Sequence, residues 1–229
     1  DVKYVYSLAV EVKEETKLLK KLSGSINISK YEESTYTLPQ QGGIILKHRP
    51  VVAGFGPAGI FAALSLARCG FKPIVIERGE DVDKRSLSVD KFWKENILNT
   101  ESNVSFGEGG AGTFSDGKLN TMVKDKSGRN NEVLKTLVEF NAPKDILTDP
   151  KPHIGTDLLK GIIKNIREEI IRLGGEVRFS TKLEDINYKD KHLQSIKLSN
   201  GEILDCETLV LAIGHSASCL LYTSPSPRD

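Results

Sequence analysis

The sequence of 229 residues predicts an α/β fold with a parallel sheet and a small β-meander. Residues 51–77 read as an apolar strand, a helix and a second apolar strand, which is the pattern of a βαβ unit. Residues 156–213 read as a helix, a strand, three short strands and a last apolar strand. Because crossovers between parallel strands are almost always right-handed, we expect one continuous sheet covered by these helices.

The composition is that of an ordinary globular protein with one or two domains. The chain carries 32 basic and 31 acidic residues, which are interleaved and give a net charge of +1. This balance predicts no nucleic-acid partner. The apolar runs, such as Leu209–Ile213, are much shorter than the roughly 20 residues of a membrane-spanning helix. Asp1–Val12 lacks the apolar block of a signal peptide, so we expect a cytoplasmic protein without a membrane partner.

The three cysteines indicate neither a redox pair nor a metal site. Cys69, Cys206 and Cys219 are far apart, and none belongs to a CxxC pair or has histidines at ligand spacing. We expect buried, inert thiols and no metal.

The chain divides into three parts on these patterns. Residues 1–48 predict a partial α+β unit, with a strand over Asp1–Val12 and a helix over Glu14–Leu22. Residues 49–217 predict the main domain, with a glycine-rich insertion at 80–150. Residues 218–229 carry two prolines and predict a non-native or disordered tail. The main domain is expected to contain helices at Pro57–Cys69, Asp81–Asn99, Asn131–Phe140 and Thr156–Leu173, and strands at Val51–Ala53, Pro73–Glu77, Glu176–Phe179, Leu183–Tyr188, His192–Leu198, Ile203–Cys206 and Thr208–Ile213.

A glycine-rich turn joins the first strand of the main domain to its helix. Gly54, Gly56 and Gly59 have the GxGxxG spacing of dinucleotide-binding Rossmann-like folds. In that motif the first glycine permits the tight turn, the second lets a pyrophosphate approach the backbone, and the third lets helix and strand pack closely. Pro57 suits the first helical turn, and the helix N-terminus offers N–H groups to an anion.

An acidic residue ends the second strand. Glu77 stands eighteen residues after Gly59, where a carboxylate accepts hydrogen bonds from a ribose diol and disfavours a 2′-phosphate. The alternative is a solvated carboxylate at a strand end. Strand, glycine turn, helix, strand and acid together predict a dinucleotide site.

Three further segments give a resemblance to a known family. They are SNVSFGEGGAGTFSDGKL at 102–119, KPHIGTD at 151–157 and GHSA at 214–217. Over Arg49–Ala217 the chain resembles the FAD-dependent dehydrogenases of the glutathione-reductase-like, NAD(P)/FAD-dependent oxidoreductase superfamily, within a mostly uncharacterised group. The resemblance implies an FAD-binding Rossmann-like domain that serves hydride or electron transfer, with NAD(P)H as a candidate donor and a small-molecule substrate or acceptor.

The resemblance also implies which residues hold FAD. The pyrophosphate would lie against Gly54, Gly56, Pro57, Ala58 and Gly59, and the adenosine ribose against Glu77, with Arg78 beside it. Leu183 would lie near the adenine edge and Gly214 beside the diphosphate. Ile213 stands where the superfamily has a threonine, so a hydroxyl contact is not expected there.

The loop from Gly107 to Gly117 is the second candidate contact with the cofactor. Its glycines can present a concave row of N–H groups to an anion or to the flavin edge, which predicts cofactor contacts at Gly109, Gly110, Ala111 and Gly112. The alternative is a flexible surface loop. The polar side chains that could face the ring are those of Glu108, Ser115, Asp116 and Lys118.

Two histidines are candidates for acid–base catalysis. Histidine is the side chain that most often serves as a general acid or base, which makes His153 and His215 candidates, although each could equally be a hydrogen-bonded structural residue. Arg85, on the helix after Glu77, could pair with a phosphate or with Asp81.

Two other functions remain open at the level of sequence. An NAD-only dehydrogenase would continue directly into a third parallel strand, whereas about 80 residues intervene here. A non-catalytic flavin- or nucleotide-binding module is compatible with the absence of a CxxC pair. Leu221–Asp229 resembles translated sequencing-adaptor sequence, and we expect the chain to be a fragment cut at both ends.

Overall fold

A computed structural model describes residues 5–22, 28–32, 35–40, 42–119, 121 and 125–214. The α-helices in chain order are α1 Glu15–Lys21, α2 Pro57–Arg68, α3 Val82–Glu95, α4 Arg129–Glu139 and α5 Thr156–Arg172. Short 3₁₀ helices form at Gly110–Phe114 and Lys144–Leu147. The strands are β1 Val51–Ala53, β2 Ile74–Ile76, β3 Glu176–Arg178, β4 Leu183–Lys189, β5 His192–Leu198, β6 Ile203–Asp205 and β7 Leu209–Leu211.

Four strands form a parallel sheet in the order β3-β2-β1-β7. The chain moves outward from β1 through β2 to β3, and it returns to the other side of β1 with β7. The strand order therefore reverses beside β1, where open α/β sheets bind ligands at the carboxyl ends of their strands. The predicted α/β fold with its parallel sheet is confirmed.

The parallel sheet has a separate apolar core on each face. Side chains alternate across a strand, so Val52 and Val75 face α2 and α5 while the residues on either side of them face the opposite way. On that opposite face the sheet packs against the small antiparallel sheet β4-β5-β6. The core there includes Leu183, Ile196 and Leu198. Burial on both faces explains why the strands read as continuous apolar runs.

The helices and the meander of the main domain agree with the sequence predictions to within a few residues. Asp81 is the N-cap of α3, and its carboxylate accepts hydrogen bonds from the N–H groups of Asp83 and Lys84. Gly70 follows α2 in the left-handed region at φ +81°, as expected of a C-terminal cap. Gly201, in the turn between β5 and β6, also has positive φ.

The N-terminal part departs from its prediction. Helix α1 forms, but it buries none of its residues. Residues 5–12, which were predicted to be a strand, form none, and Val5 is 90% exposed. A half-buried strand needs a partner edge and an apolar surface to cover, and the alternating pattern has neither here. Residues 218–229, for which a tail was predicted, lie outside the described residues.

Neither a membrane-spanning helix nor a metal-binding cluster is present among the described residues. No helix among them is long and apolar enough to cross a membrane. Within the same residues, no group of three or more histidine, cysteine, aspartate or glutamate side chains is placed to hold a metal ion.

Candidate nucleotide-binding site

A cavity of about 690 Å³ opens at the carboxyl edge of the parallel sheet. It lies where β1, β2 and β7 end, beside the reversal of the strand order. Its lining residues come from the glycine turn, the end of β2, the loop before α4, the start of β4 and the end of β7: Ala53, Gly54, Gly56, Pro57, Ala58, Ile76, Glu77, Arg78, Ser105, Phe106, Gly107, Gly110, Ala111, Gly112, Thr181, Lys182, Leu183, Leu211, Ala212, Ile213 and Gly214.

The N-terminus of α2 faces this cavity. Its N-cap is Gly56, which has no side chain to cap the helix, and Pro57 occupies the first helical position. The N–H groups of Ala58 and Gly59 fall in the first turn, where a helix has no carbonyl of its own to accept them. The turn carries no acidic side chain. These donors and the partial positive charge of the helix end suit an anion.

Gly54 and Gly59 are needed because the backbone packs closely at both positions. Gly54 has φ +101°, and a Cβ atom there would collide with the carbonyl oxygen of Ala212 at the end of β7. A Cβ atom on Gly59 would collide with the carbonyl oxygen of Gly54. A Cβ atom on Gly56, by contrast, would meet only the Cα of Gly110, at 3.7 Å. Gly59 does not line the cavity, so it acts on the site through the close packing of α2 on β1.

Glu77 lines the cavity, but backbone donors occupy most of its carboxylate. Oε2 accepts from the N–H of Phe55 at 2.7 Å, and Oε1 accepts from the N–H groups of Gly79 at 2.9 Å and Gly107 at 3.1 Å. The side chain is only 5% exposed, so the alternative of a solvated carboxylate is wrong. A carboxylate accepts about four hydrogen bonds, which leaves room for one hydroxyl and not for both hydroxyls of a diol.

Arg78 stacks on an aromatic ring at the cavity wall. Its guanidinium carbon lies 3.9 Å from the ring centroid of Phe106. Glu101 holds the guanidinium from outside, since its Oε2 accepts from Nε at 3.0 Å and from an Nη at 2.8 Å. The pair Arg78 and Phe106 therefore forms a flat surface beside Glu77.

The glycine-rich loop uses most of its N–H groups internally, which corrects the expectation of a free concave row. Gly107 donates to Glu77, Glu108 donates to the carbonyl of Glu80, Gly109 donates to the carbonyl of Phe55, and Gly110 donates to the carbonyl of Gly107. A Cβ atom on Gly109 would collide with Thr113 and Ile163. Gly109 therefore has a packing role, whereas Gly110, Ala111 and Gly112 line the cavity.

The polar side chains expected to face the ring lie elsewhere. Ser115 donates its hydroxyl to the carbonyl of Gly112, and Asp116 pairs with Lys118 on the surface. Glu108 is fully buried, where its Oε2 accepts from the N–H of Val82 at 2.7 Å and from Arg167 at 3.0 Å. None of the four side chains lines the cavity.

Arg85 pairs neither with Asp81 nor with the cavity, in contrast to both expectations. Its side chain is fully buried, and its guanidinium donates to the backbone carbonyls of Asn103 and Val104, before the glycine loop, and of Glu108, within it. Beside the cavity thus lies a cluster of charged groups formed by the buried Glu77, Arg85 and Glu108 and the partly buried Arg167.

Of the remaining candidate residues, two line the cavity and one does not. Leu183 and Gly214 line the cavity, Leu183 at the start of β4 and Gly214 after β7 with φ +70°. His153 is exposed, and its Nε2 lies 2.7 Å from the carbonyl oxygen of Asp116. It does not line the cavity, so the structure gives it a hydrogen-bonded surface position. His215 lies outside the described residues.

Sequence reasoning missed Phe106 and the neighbouring residues Thr181 and Lys182, and it misplaced Arg85. Phe106 lies within the distinctive segment 102–119, so an aromatic ring between polar and glycine residues was the available signal. Arg85 was expected to pair with a phosphate or with Asp81, and nothing in the sequence indicated its burial, because a basic residue on a highly charged helix is ordinarily exposed. Thr181 and Lys182, which follow β3, could have been found from their position after a strand of the same sheet.

The chain is similar in sequence to an uncharacterised protein of Clostridium beijerinckii (strain ATCC 51743 / NCIMB 8052). The two are 57% identical over 217 residues, which take in 95% of this chain and 40% of the relative. The chain therefore spans about 40% of the length of that relative. No family model matches the chain.

Several solved structures resemble parts of the chain. Glycine oxidase from Bacillus cereus ATCC 14579 gives a TM-score of 0.49 at 15% identity, covering 77% of this chain and 58% of the oxidase. Thermovibrio ammonificans THI4 gives 0.48 at 18% identity, covering 77% and 62%. OTEMO in complex with FAD and NADP gives 0.45 at 19% identity, covering 74% and 26%. At these identities they are partial likenesses of fold.

Proposed function

We propose that this chain binds FAD in the cavity at the carboxyl edge of the parallel sheet, as the nucleotide-binding part of an FAD-dependent oxidoreductase. The observation that carries the proposal is the placement of the α2 N-terminus and of Glu77 around one cavity. The helix end offers uncapped N–H groups to a diphosphate. The carboxylate offers one acceptor position to a ribose hydroxyl.

The cavity suits a nucleotide in size and in lining. Its volume of about 690 Å³ lies within the usual range of small-molecule sites. Glycines and alanines line the side next to α2, where a diphosphate must approach the backbone closely. The flat surface of Arg78 and Phe106 lies next to Glu77 and suits a planar ring.

The chain's own residues bind the nucleotide and orient it. Ala58, in the first turn of α2, donates its N–H group to the diphosphate, and Glu77 fixes the ribose. Gly110, Ala111 and Gly112 bring a wall of small residues against the ligand. FAD, when bound, supplies hydride and electron transfer. NAD(P)H is the proposed electron donor, and the acceptor is an unidentified small molecule.

The first experiment is the visible absorption spectrum of the purified chain after incubation with excess FAD and removal of free cofactor. We expect retained flavin bands. A folded chain without flavin bands would overturn the proposal, and retained NAD without flavin would favour an NAD-only dehydrogenase. Reduction of the bound flavin by NADH or NADPH, followed by reoxidation with an acceptor, would separate an oxidoreductase from a non-catalytic flavin-binding module.

A pair of glycine substitutions tests the location of the site without damaging the fold. Gly56→Asp places a favourable N-cap residue at α2, but it also places a negative charge where the diphosphate binds. We expect FAD affinity to fall at least about tenfold, because the carboxylate competes for the same N–H groups and repels phosphate. Gly155→Asp is the matched control, since Gly155 is the N-cap of α5 and has open space around it. Equal affinities of the two variants would place the diphosphate elsewhere.

A further inference from the structure

We propose that Arg85 is a positioning residue for the nucleotide site, which it supports from behind the cavity wall by holding residues 103–108 and, through Gly107, the carboxylate of Glu77. The inference rests on the proposed nucleotide-binding function. Arg85 lies on α3, is 0% exposed and does not line the cavity.

The guanidinium of Arg85 holds the backbone of this segment at three points. Nε donates to the carbonyl of Asn103 at 2.9 Å, and the two Nη atoms donate to the carbonyls of Glu108 at 2.6 Å and Val104 at 3.1 Å. These donors lie in one plane and point in different directions, as the fixed fork of a guanidinium allows and a lysine ammonium does not. An apolar side chain could fill the same space, but it would leave three carbonyls without this donor.

A single glycine separates Arg85 from Glu77. A Cβ atom on Gly107 would lie 2.5 Å from Cδ and 2.9 Å from Nε of Arg85, so the arginine packs directly on the glycine backbone. The N–H of the same glycine donates to Oε1 of Glu77 at 3.1 Å. Movement of Arg85 would therefore move the donor that helps to orient the carboxylate.

Arg85 also holds the far end of the loop. Its guanidinium carbon lies 4.8 Å from the ring centroid of Phe114, the last residue of the first 3₁₀ helix. The Nζ atom of Lys160 also lies 4.8 Å from the centroid of that ring. The residues between these two anchors include Gly110, Ala111 and Gly112, which line the cavity. One buried side chain thus fixes both ends of the cavity wall.

The electrostatic surroundings keep this arginine charged. Burial lowers the pKa of Arg85 to about 10, while the carboxylates of Glu77 and Glu108 act to raise it. The guanidinium is therefore protonated at neutral pH and keeps all its donors.

The test compares binding of ADP, 2′-deoxy-ADP and 3′-deoxy-ADP to the whole chain by titration calorimetry. In the wild type we expect one of the two deoxy nucleotides to bind about tenfold more weakly than ADP, because Glu77 has one acceptor position for a hydroxyl. In Arg85→Lys we expect this ratio to fall toward one. Lys84→Ala, the exposed neighbour on α3, is the matched control and is expected to keep the wild-type ratio.

The ratio separates positioning from general loss of structure. A chain that is merely destabilised binds less of all three nucleotides, and the ratio stays the same. A folded Arg85→Lys variant with the wild-type ratio would overturn the role of Arg85 and leave the proposed function intact. A wild type that does not bind ADP at all would overturn the proposed function itself.

A second variant keeps the proposal testable if Arg85→Lys does not fold. Phe114→Leu keeps the guanidinium and removes the ring that packs against it. We expect a smaller fall of the same ratio, because the far anchor of the loop is weakened. An unchanged ratio in this variant would overturn the proposal.

Discussion

The carboxylate of Glu77, after β2, accepts a hydrogen bond of 2.7 Å from the backbone N–H of Phe55, in the turn after β1. Phe55 is fully buried, so its N–H has no access to water. The acid that we propose as a ribose ligand therefore also ties together the carboxyl ends of two neighbouring strands. Substitutions of Glu77 must be examined for stability as well as for binding.

The first prediction concerns this structural role. Glu77→Gln replaces one acceptor oxygen by a donor group, and at least one of the N–H groups of Phe55, Gly79 and Gly107 loses its acceptor. We expect the free energy of unfolding to fall by about 1–3 kcal/mol, as measured by urea denaturation. Glu139→Gln is the control, because Glu139 forms an exposed pair with Arg68 that is worth about 0–1 kcal/mol. Equal losses in both variants would contradict the assignment.

The second prediction separates two kinds of glycine. Gly54→Ala must adopt φ near +101° and meets the carbonyl oxygen of Ala212. We expect backbone strain to lower the free energy of unfolding by about 1–3 kcal/mol. Gly161→Ala lies within α5, where the added methyl group meets open space. It should stabilise the chain by about 0.8–1 kcal/mol. Thermal or urea denaturation of both variants checks the opposite signs.

The third prediction is a pH dependence that arises from Glu108. Burial raises the pKa of Glu108 above its ordinary value of 4.5, against the lowering effects of the Val82 N–H and Arg167, and Asp81 and Asp83 raise it further. Oε1 of Glu108 is buried without a hydrogen-bond partner among the described residues. The folded state therefore holds the proton to higher pH than the unfolded state.

The sign of this effect follows from proton binding. As pH rises from 4.5 through the raised pKa of the folded state, the contribution of Glu108 to the free energy of unfolding falls. Glu108→Gln removes this titration, so the stability of the variant relative to the wild type should increase with pH across that window. Urea denaturation of both proteins at a series of pH values measures the difference. A difference that does not change with pH would show that Glu108 does not titrate there.

The fourth prediction concerns thiol reactivity. Burial raises the pKa of the Cys206 thiol to about 11, with a further contribution from Asp205. Cys69 is only partly buried. Since the thiolate is the reactive species, alkylation of Cys206 at pH 8 should be at least about tenfold slower than alkylation of Cys69. Peptide mapping after timed exposure to iodoacetamide measures both rates in one sample. Faster labelling of Cys206 would be inconsistent with an inert, buried thiol.

The sequence predictions agree best with the structure in the main domain. The apolar runs and the helix pattern predicted each strand and each α-helix there, but not the two short 3₁₀ helices, and the glycine turn predicted where α2 begins. Because parallel strands end at one edge of a sheet, the position of Glu77 after β2 was enough to place it near the turn after β1. The same local patterns failed at residues 5–12, where alternation predicted a strand that has no partner.

The sequence by itself determined the βαβ unit, the meander and the edge of the sheet where a ligand can bind, since these depend on periodicity and on strand ends. Only the tertiary structure decided which groups around that edge are free. In the folded chain the N–H groups of Gly107 and Gly109 donate to internal acceptors. Arg78 stacks on Phe106, and Arg85 is buried behind the cavity wall. The physical reason is that the pattern of polar and apolar residues indicates which face of a helix or strand is buried. Hydrogen bonds, by contrast, form between residues that are far apart in the sequence and come together only after folding.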